Sequence, residues 1–133
     1  MPTIEGSIVA ALMGRVTTLP TSLAITYRET VGQVPAECVM IDHLPNEDQR
    51  LAVAGAGRMK RMGILQLTVM RRPGQYEAVY REEAALLANH FSRDLRLTSG
   101  TVTLAVTRAS LGRSRADGGH WLTPISVFYE TYA

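Results

Sequence analysis

The stretch that decides the fold reads Trp121-Leu122-Thr123-Pro124-Ile125-Ser126-Val127-Phe128-Tyr129-Glu130-Thr131-Tyr132. It is rich in β-branched and aromatic residues, which is typical of a strand, and successive side chains of a strand point to opposite faces. Both faces then carry apolar or aromatic side chains: Trp121, Ile125, Val127 and Tyr129 on one, and Leu122, Phe128 and Tyr132 on the other. Because the rest of the sequence supplies only two helices to cover a sheet, we predict that one face needs another subunit.

Two helices are predicted from apolar residues that recur at helical spacing. The first begins after Thr3, a plausible N-cap, and its pattern stops at Pro20. The second covers residues 76–91. The apolar positions are Ile4, Ile8, Leu12, Val16 and Leu19 in the first helix, and Tyr76, Tyr80, Ala84, Leu87 and Phe91 in the second. An aromatic platform for stacking bases is the alternative for the second set, but the spacing favours a core-facing stripe.

Alternating or β-branched runs predict strands at residues 23–27, 37–43 and 63–71, with Pro45 as the end of the second. The small residues at 49–57 suit a strand or the arm of a hairpin.

The last predicted elements form a hairpin. A strand that starts at Gly100 pairs with the strand at residues 121–132, and a polar, Gly-rich loop at residues 111–119 joins them. This loop is unusually long for a hairpin tip.

The order helix, strands, helix, hairpin predicts one α+β domain over residues 1–133. We expect a mostly antiparallel, mixed sheet of about four to five strands with both helices packed on one face. A chain of 133 residues with 46% hydrophobic residues is long enough to bury one core. The other face of the sheet is left to water or to a partner, and contiguous apolar area there would mark an interaction site.

Composition predicts a protein that folds in the cytoplasm and does not contact a membrane. The one cysteine, Cys38, lies in an apolar run, which predicts burial as a small hydrophobic residue. No apolar run approaches the roughly 18 residues of a spanning helix, and no basic stretch precedes an apolar one after Met1.

Positive side chains are almost all arginines, and they occur in bunches although the formal charge is only +2. Arg58, Lys60 and Arg61 form one bunch, and Arg113 and Arg115 belong to the predicted hairpin loop. Arginine suits planar contacts at interfaces and with phosphates. These residues are candidate contacts with a partner or nucleic acid, although solvated loop ends are the commoner explanation.

The sequence contains no recognisable catalytic, cofactor-binding or metal-binding motif. Asp42 and His43 are neighbours in a predicted strand, so they point to opposite faces and are unsuited to a general-base pair. His90 is expected at the end of the second helix, where imidazole meets the dipole favourably, and His120 at a boundary between loop and strand. We expect a protein without catalytic activity or cofactor, and an enzyme that uses His43 or His120 is the weakest alternative.

The arrangement resembles that of small proteins of tailed phages. It has a first helix, a strand Gly63-Ile64-Leu65-Gln66-Leu67-Thr68-Val69 and a second helix with an Ala-Asn-His-Phe end. The closing hairpin runs from Gly100-Thr101-Val102-Thr103-Leu104 through Asp117-Gly118-Gly119-His120-Trp121 to Ile125-Ser126-Val127-Phe128-Tyr129. Over nearly its whole length the chain looks like the phage tail-terminator group and a related phage domain of unknown function.

This resemblance implies a structural role. Such proteins assemble as a hexameric ring on the end of the completed tail tube, stop its polymerisation and present a surface to the head-completion protein. The expected partners are therefore other copies of the chain, the tail tube protein and the head-completion protein, with passing contact to DNA. The expected location is the head-proximal end of the virion tail.

Ring closure requires a heterologous interface, in which two different patches of each subunit meet. We expect one patch on the exposed face of the sheet, with Ile64, Met70 and Tyr129. The predicted loop at residues 111–119 would project and become ordered on assembly. Expected partner contacts come from Arg58, Lys60, Arg61, Arg113 and Arg115.

The alternative is a neck component between head and tail, or another DNA-contacting module, that uses the arginine bunches. A steep loss of affinity with salt would favour it. Against it, no helix-turn-helix or aromatic sheet platform accompanies the arginines.

Overall fold

A computed structural model describes residues 3–29, 32, 35–50 and 59–132, with 45–50 and 59 described by their backbone alone. Two helices and seven strands occur in these residues. Their bounds are α1 Ile4–Val16, β1 Ala24–Tyr27, β2 Cys38–Arg50, β3 Met59–Arg71, α2 Glu77–His90, β4 Arg96–Ser99, β5 Val102–Leu111, β6 Arg115–Asp117 and β7 His120–Tyr132. No helix in this described part of the chain is long and apolar enough to cross a membrane.

The strands form one mixed sheet in the order β1-β2-β3-β7-β5-β4, and β6 pairs with the start of β7. β1 and β2 are parallel, whereas the other neighbours are antiparallel. This is the predicted α+β class, but the seven strands exceed the predicted four to five. β4 and β6, which the sequence did not reveal, have only four and three residues and therefore carry little periodic signal.

α1 begins where the sequence predicts. The side-chain oxygen of Thr3 accepts a hydrogen bond from the amide of Gly6 at 3.0 Å, which satisfies one of the free amides of the first turn. Ile8, Leu12 and Val16 lie on one side of the helix and are at most 1% exposed. The helical spacing of these residues thus places α1 on the core.

α2 buries the predicted stripe with one exception. Tyr80, Ala84, Leu87 and Phe91 are at most 3% exposed. Tyr76 precedes the first turn and is 85% exposed, so the prediction that it belongs to the core is wrong. At the N-cap its side chain projects from the helix start rather than along the stripe.

Both helices pack on the same face of the sheet, as predicted. The sheet residues in this core alternate along four strands and are Val39, Ile41, Leu65, Leu67, Val69, Val102, Leu104, Val106, Ile125, Val127 and Tyr129. The register of β2, β3 and β7 places these positions side by side. The opposite face has no helix from the described residues.

β2 is longer than predicted, because it continues through Pro45 to Arg50 with a register shift between Pro45 and Asp48. β1 pairs only with residues 38–41, so in the described residues Pro45 lies on a free edge. Its missing N–H costs no ladder hydrogen bond there. The predicted strand or arm at residues 49–57 falls mostly outside the described residues.

The hairpin of β5 and β7 is confirmed, but its tip differs from the predicted loop at residues 111–119. β6 pairs with β7, and Gly118 and Gly119 both have positive φ angles, of 57° and 83°, as a tight two-residue turn requires. The hydroxyl oxygens of Ser114 and Thr123 are 3.0 Å apart and tie the preceding segment to β7. Strand pairing therefore orders this tip within the subunit.

Candidate functional site

The two-faced character of the strand at residues 121–132 is confirmed. On the helix side Ile125 and Val127 are fully buried. On the other side Phe128 is half-buried and Tyr132 is 49% exposed. The face without helices therefore presents apolar side chains of β7 at the surface.

An apolar row crosses three strands on this face. Leu44 of β2 pairs with Ile64 of β3, and Ile64 pairs with Phe128 of β7. Leu44 is 42% exposed and the other two are half-buried. Arg108 of β5 follows in the same row, with its guanidinium carbon 4.2 Å from the centre of the Phe128 ring. We call Leu44, Ile64 and Phe128 the sheet-face patch.

Met70 shares this face with Ile64 but lies in another row. Two rows, which contain Gln66 and Thr68, lie between them. Met70 pairs with Cys38 and with Leu122, which are 0% and 7% exposed. The sulfur atoms of Met70 and Cys38 are 3.7 Å apart. Met70 is half-buried, and these contacts pack it against Cys38 and Leu122 within the subunit.

Tyr129 lies on the helix-covered face and is 4% exposed, so it does not share an exposed face with Ile64 and Met70. Its ring covers Gly63 so closely that a Cβ added there would lie 2.3 Å from the hydroxyl oxygen of Tyr129. That oxygen is 2.5 Å from Nε2 of His43, and the two rings stack with centroids 5.7 Å apart. Tyr129 is therefore part of the packing between strands rather than of an interface.

The two described residues of the first basic bunch, Lys60 and Arg61, form ion pairs within the subunit. Lys60 lies 3.3 Å from a carboxylate oxygen of Glu130, and Arg61 pairs with Glu5 of α1. Arg58 lies outside the described residues. Within the described residues, these contacts offset the positive charge at this end of β3.

The second basic bunch is exposed. Arg113 lies just before β6, and Arg115 is the first residue of β6. Because β6 pairs with β7, both residues stand on a fixed hairpin tip. Among the four predicted contact residues that the structure describes, Arg113 and Arg115 are the exposed ones.

Arg71 links three elements in a way that the sequence did not reveal. Its Nε donates a hydrogen bond to Glu37 at 2.5 Å, and its Nη1 donates to Glu83 of α2 at 2.6 Å. The hydrogen bond from the Arg71 guanidinium holds the pKa of Glu37 below its ordinary value. This junction joins the start of β2 and the end of β3 to α2.

The lowered pKa of Glu37 predicts the sign of an acid effect on stability. The folded state binds a proton at Glu37 less readily than the unfolded state does. The stabilisation from the ionised Glu37 carboxylate is therefore fully present above the unfolded pKa and is lost as pH falls through the folded pKa. The urea midpoint of the wild type should therefore decrease on acidification through the ordinary glutamate range, about pH 4.3 and below. The urea midpoint of Glu37→Gln should decrease less over that range. The urea midpoint of Glu82→Gln, a change at an exposed helix position, should follow that of the wild type. Equal pH profiles for all three proteins would contradict the role of Arg71.

The end of α2 differs from the prediction. The carbonyl oxygen of His90 accepts hydrogen bonds from Nε and Nη2 of Arg15, at 3.1 and 2.8 Å. The His90 ring instead contacts the hydroxyl of Thr18 at 2.7 Å, and burial together with the charge of Arg15 lowers its pKa. The guanidinium group of Arg15 in α1, rather than the imidazole of His90, therefore donates hydrogen bonds to a carbonyl oxygen in the last turn of α2.

The remaining histidines lack the geometry of a catalytic pair. Asp42 pairs with Arg28 at 3.1 Å on the face without helices, while His43 points to the helix side, so the two side chains lie on opposite faces as predicted. Burial lowers the pKa of His43. Nε2 of His120 lies 3.1 Å from the carbonyl oxygen of Pro35. In the described residues, no three His, Cys, Asp or Glu side chains are grouped so that they could hold a metal ion.

A second exposed apolar surface, which the sequence interpretation missed, lies on the outer side of α2. Val79 and Leu86 are 46% and 50% exposed, and Glu82 between them is also exposed. Positions three and seven residues apart lie on one side of a helix. The seven-residue separation of Val79 and Leu86 is the signal that points to this surface. We call Val79, Glu82 and Leu86 the α2 outer stripe.

These observations define a class of small α+β proteins whose single mixed sheet carries helices on one face and partly exposed apolar side chains on the other. The family model described as phage tail terminator protein matches residues 7–129. The chain therefore belongs to the phage tail terminator family and is a structural protein of the bacteriophage tail. Proteins of this family interact with other components of the tail and head.

A solved structure shares this fold, with a TM-score of 0.73 and 23% sequence identity. The similarity covers 93% of this chain and 92% of that chain, so the two have the same architecture from end to end. The comparison with curated proteins finds no match.

Proposed function

We propose that this protein forms a closed ring on the head-proximal end of the tail tube, where it ends tube growth and joins the tube to the head-completion protein. Membership of the tail terminator family supports the role. The observation that carries the ring is the sheet-face patch, because its apolar side chains stay partly exposed on a sheet face that has no helix from the described residues.

The size of the patch suggests how such a ring would form. Burial of an apolar side chain contributes roughly 1.5–3 kcal/mol, so Leu44, Ile64 and Phe128 together supply a modest gain. Association of two proteins costs about 4–15 kcal/mol in lost freedom. A single contact is therefore weak, whereas a closed ring holds each subunit on two sides. Assembly should thus be cooperative and should be promoted by the tube end.

The hairpin tip is the proposed contact with a neighbouring tail or head protein. Arg113 and Arg115 are exposed there and stand on a backbone that is fixed by strand pairing. Arginine is well suited to carboxylates on a protein partner and to passing contact with DNA phosphates. We place the tail tube protein and the head-completion protein as the partners on the two sides of the ring.

A role as a dedicated DNA-binding module is less well supported. Lys60 and Arg61 pair with Glu130 and Glu5, and these pairs reduce the charge available to phosphates. Such a module would bind duplex DNA with an affinity that falls steeply with salt.

The proposed function is tested by tube growth. Tail tube protein of the same phage is polymerised with and without this protein, and tube lengths are measured by electron microscopy. We expect shorter tubes that carry a ring at one end, and the same result for the surface variant Val9→Lys on α1. With Phe128→Lys, the tubes should grow as long as tubes grown without this protein. Tubes that elongate equally in the presence of the wild-type protein would overturn the terminator role.

A further inference from the structure

A ring needs a second patch on each subunit that is different from the first. We propose that the sheet-face patch of one subunit packs against the α2 outer stripe of the next copy of the chain. This inference rests on the proposed ring and identifies the two surfaces that meet in it. The stripe and the patch lie on different layers of the subunit, so their contact is head-to-tail.

Both surfaces carry partly exposed apolar side chains. Leu86 and Val79 are about half exposed on α2, and no described residue covers them. Within the subunit the sheet is already covered on its other face by the inner side of α2, through Ala84 and Leu87. A neighbouring α2 on the sheet-face patch would complete a helix-sheet-helix arrangement, which is a stable way to bury both faces of a sheet.

The charges of the two surfaces are complementary. Arg108 lies over Phe128 at the edge of the patch and makes no ion pair within the described part of the chain. Glu82 lies between Val79 and Leu86 and likewise has no ion pair among the described residues. Docking of the stripe on the patch brings these opposite charges next to buried apolar groups, where they interact strongly.

The same charges disfavour symmetric pairing. Two α2 outer stripes related by a two-fold axis would bring Glu82, in the middle of each stripe, against Glu82 of the other copy. Two sheet-face patches related in this way would leave both Arg108 side chains at the edges of the contact without an opposite charge. Like charges at an interface cost several kcal/mol, so they select against such dimers. The head-to-tail contact satisfies both charges, and it is the type of contact that generates rings.

Cross-linking of engineered cysteines tests which surfaces meet. The double variant Ile64→Cys with Leu86→Cys is treated at high protein concentration with a short bismaleimide. Native Cys38 is fully buried and its burial raises its thiol pKa, so it should not react. We expect a ladder of products beyond the dimer for this variant. Each single variant should give at most a dimer, and Ile64→Cys with Val9→Cys should give no ladder.

The absence of a ladder in the Ile64→Cys with Leu86→Cys variant would overturn this pairing. The solution mass of the wild type in the same buffer separates the two proposals. If the wild type assembles but the double variant gives no ladder, the ring stands and the pairing fails. If the wild type stays monomeric and the double variant gives no ladder, the self-assembling ring fails as well.

Charge reversal provides an independent readout. Glu82→Arg and Arg108→Glu should each weaken association by about tenfold, which corresponds to roughly 1.4 kcal/mol. The double variant should regain most of the wild-type association. If the double variant is as weak as the sum of the singles, Glu82 and Arg108 do not meet.

Discussion

Replacement of Gly63 by alanine is expected to destabilise the subunit by about 1–3 kcal/mol, the usual range for overfilling a packed site. The added methyl group would lie 2.3 Å from the hydroxyl oxygen and 2.6 Å from Cζ of Tyr129, distances at which atoms cannot remain. The Tyr129 ring is 4% exposed and is held by His43, so it has little room to move away. The loss should appear as a lower urea midpoint with an unchanged slope.

Gly14 provides the matched control, because it lies on the exposed side of α1 and an added Cβ meets nothing within 4 Å. Gly14→Ala should stabilise the protein by roughly 0.5–1 kcal/mol through helix propensity. A double-mutant cycle with Tyr129→Leu then identifies the cause: the cost of Gly63→Ala should shrink once the ring is gone. An equal cost in both backgrounds would show that the contact with Tyr129 is not responsible.

Gly63 also illustrates what the sequence can reveal about this fold. A glycine inside a strand pattern signals a close approach by another group, and that signal was present. The alternation of β7 correctly grouped Tyr129 with Ile125 and Val127. It could not tell which group the helices cover, because that depends on the register of β7 against β3, which places Ile125 and Val127 beside Leu67 and Leu65.

Other errors have similar physical causes. Pro45 looked like a strand end because proline breaks central strands, but β2 is unpaired on one side at that point in the described residues. The short strands β4 and β6 depend on tertiary pairing rather than on their own periodicity. Elements with strong periodicity, such as α1 and β3, were predicted at the right place and with the right type, although α1 ends at Val16 rather than after Leu19 and β3 begins at Met59 rather than Gly63.

The candidate site was only partly predictable. Ile64 was identified from its alternation within β3, whereas its row partners Leu44 and Phe128 follow only from strand register. Met70 lies an even number of residues from Ile64 and therefore faces the same side of the sheet, but its contact with buried Cys38 depends on the pairing of β2 with β3. The alternation along a strand indicates the face on which a side chain lies, whereas its exposure depends on the packing of its neighbours.

Ile64→Lys is expected to have the largest effect on assembly. Ile64 is half-buried in the middle of the sheet-face patch, so the isolated subunit can accommodate lysine with its ammonium group in water. In the proposed contact the ammonium would be buried without a partner, at a cost of at least about 3 kcal/mol. That cost corresponds to more than about 100-fold weaker association at every contact of the ring. Met70→Lys is unsuitable for this test because it would disrupt the packing against Cys38.

The most direct test of the ring is therefore the solution mass by light scattering, measured over a wide range of protein concentration and salt for the wild type, Ile64→Lys and Val9→Lys. We expect a discrete species of several subunits for the wild type and Val9→Lys at high concentration, and a species at the chain mass of 14.6 kDa for Ile64→Lys. Equal assembly of Ile64→Lys and the wild type, or a wild type that stays monomeric at every concentration, would contradict a self-assembling ring built through the sheet-face patch.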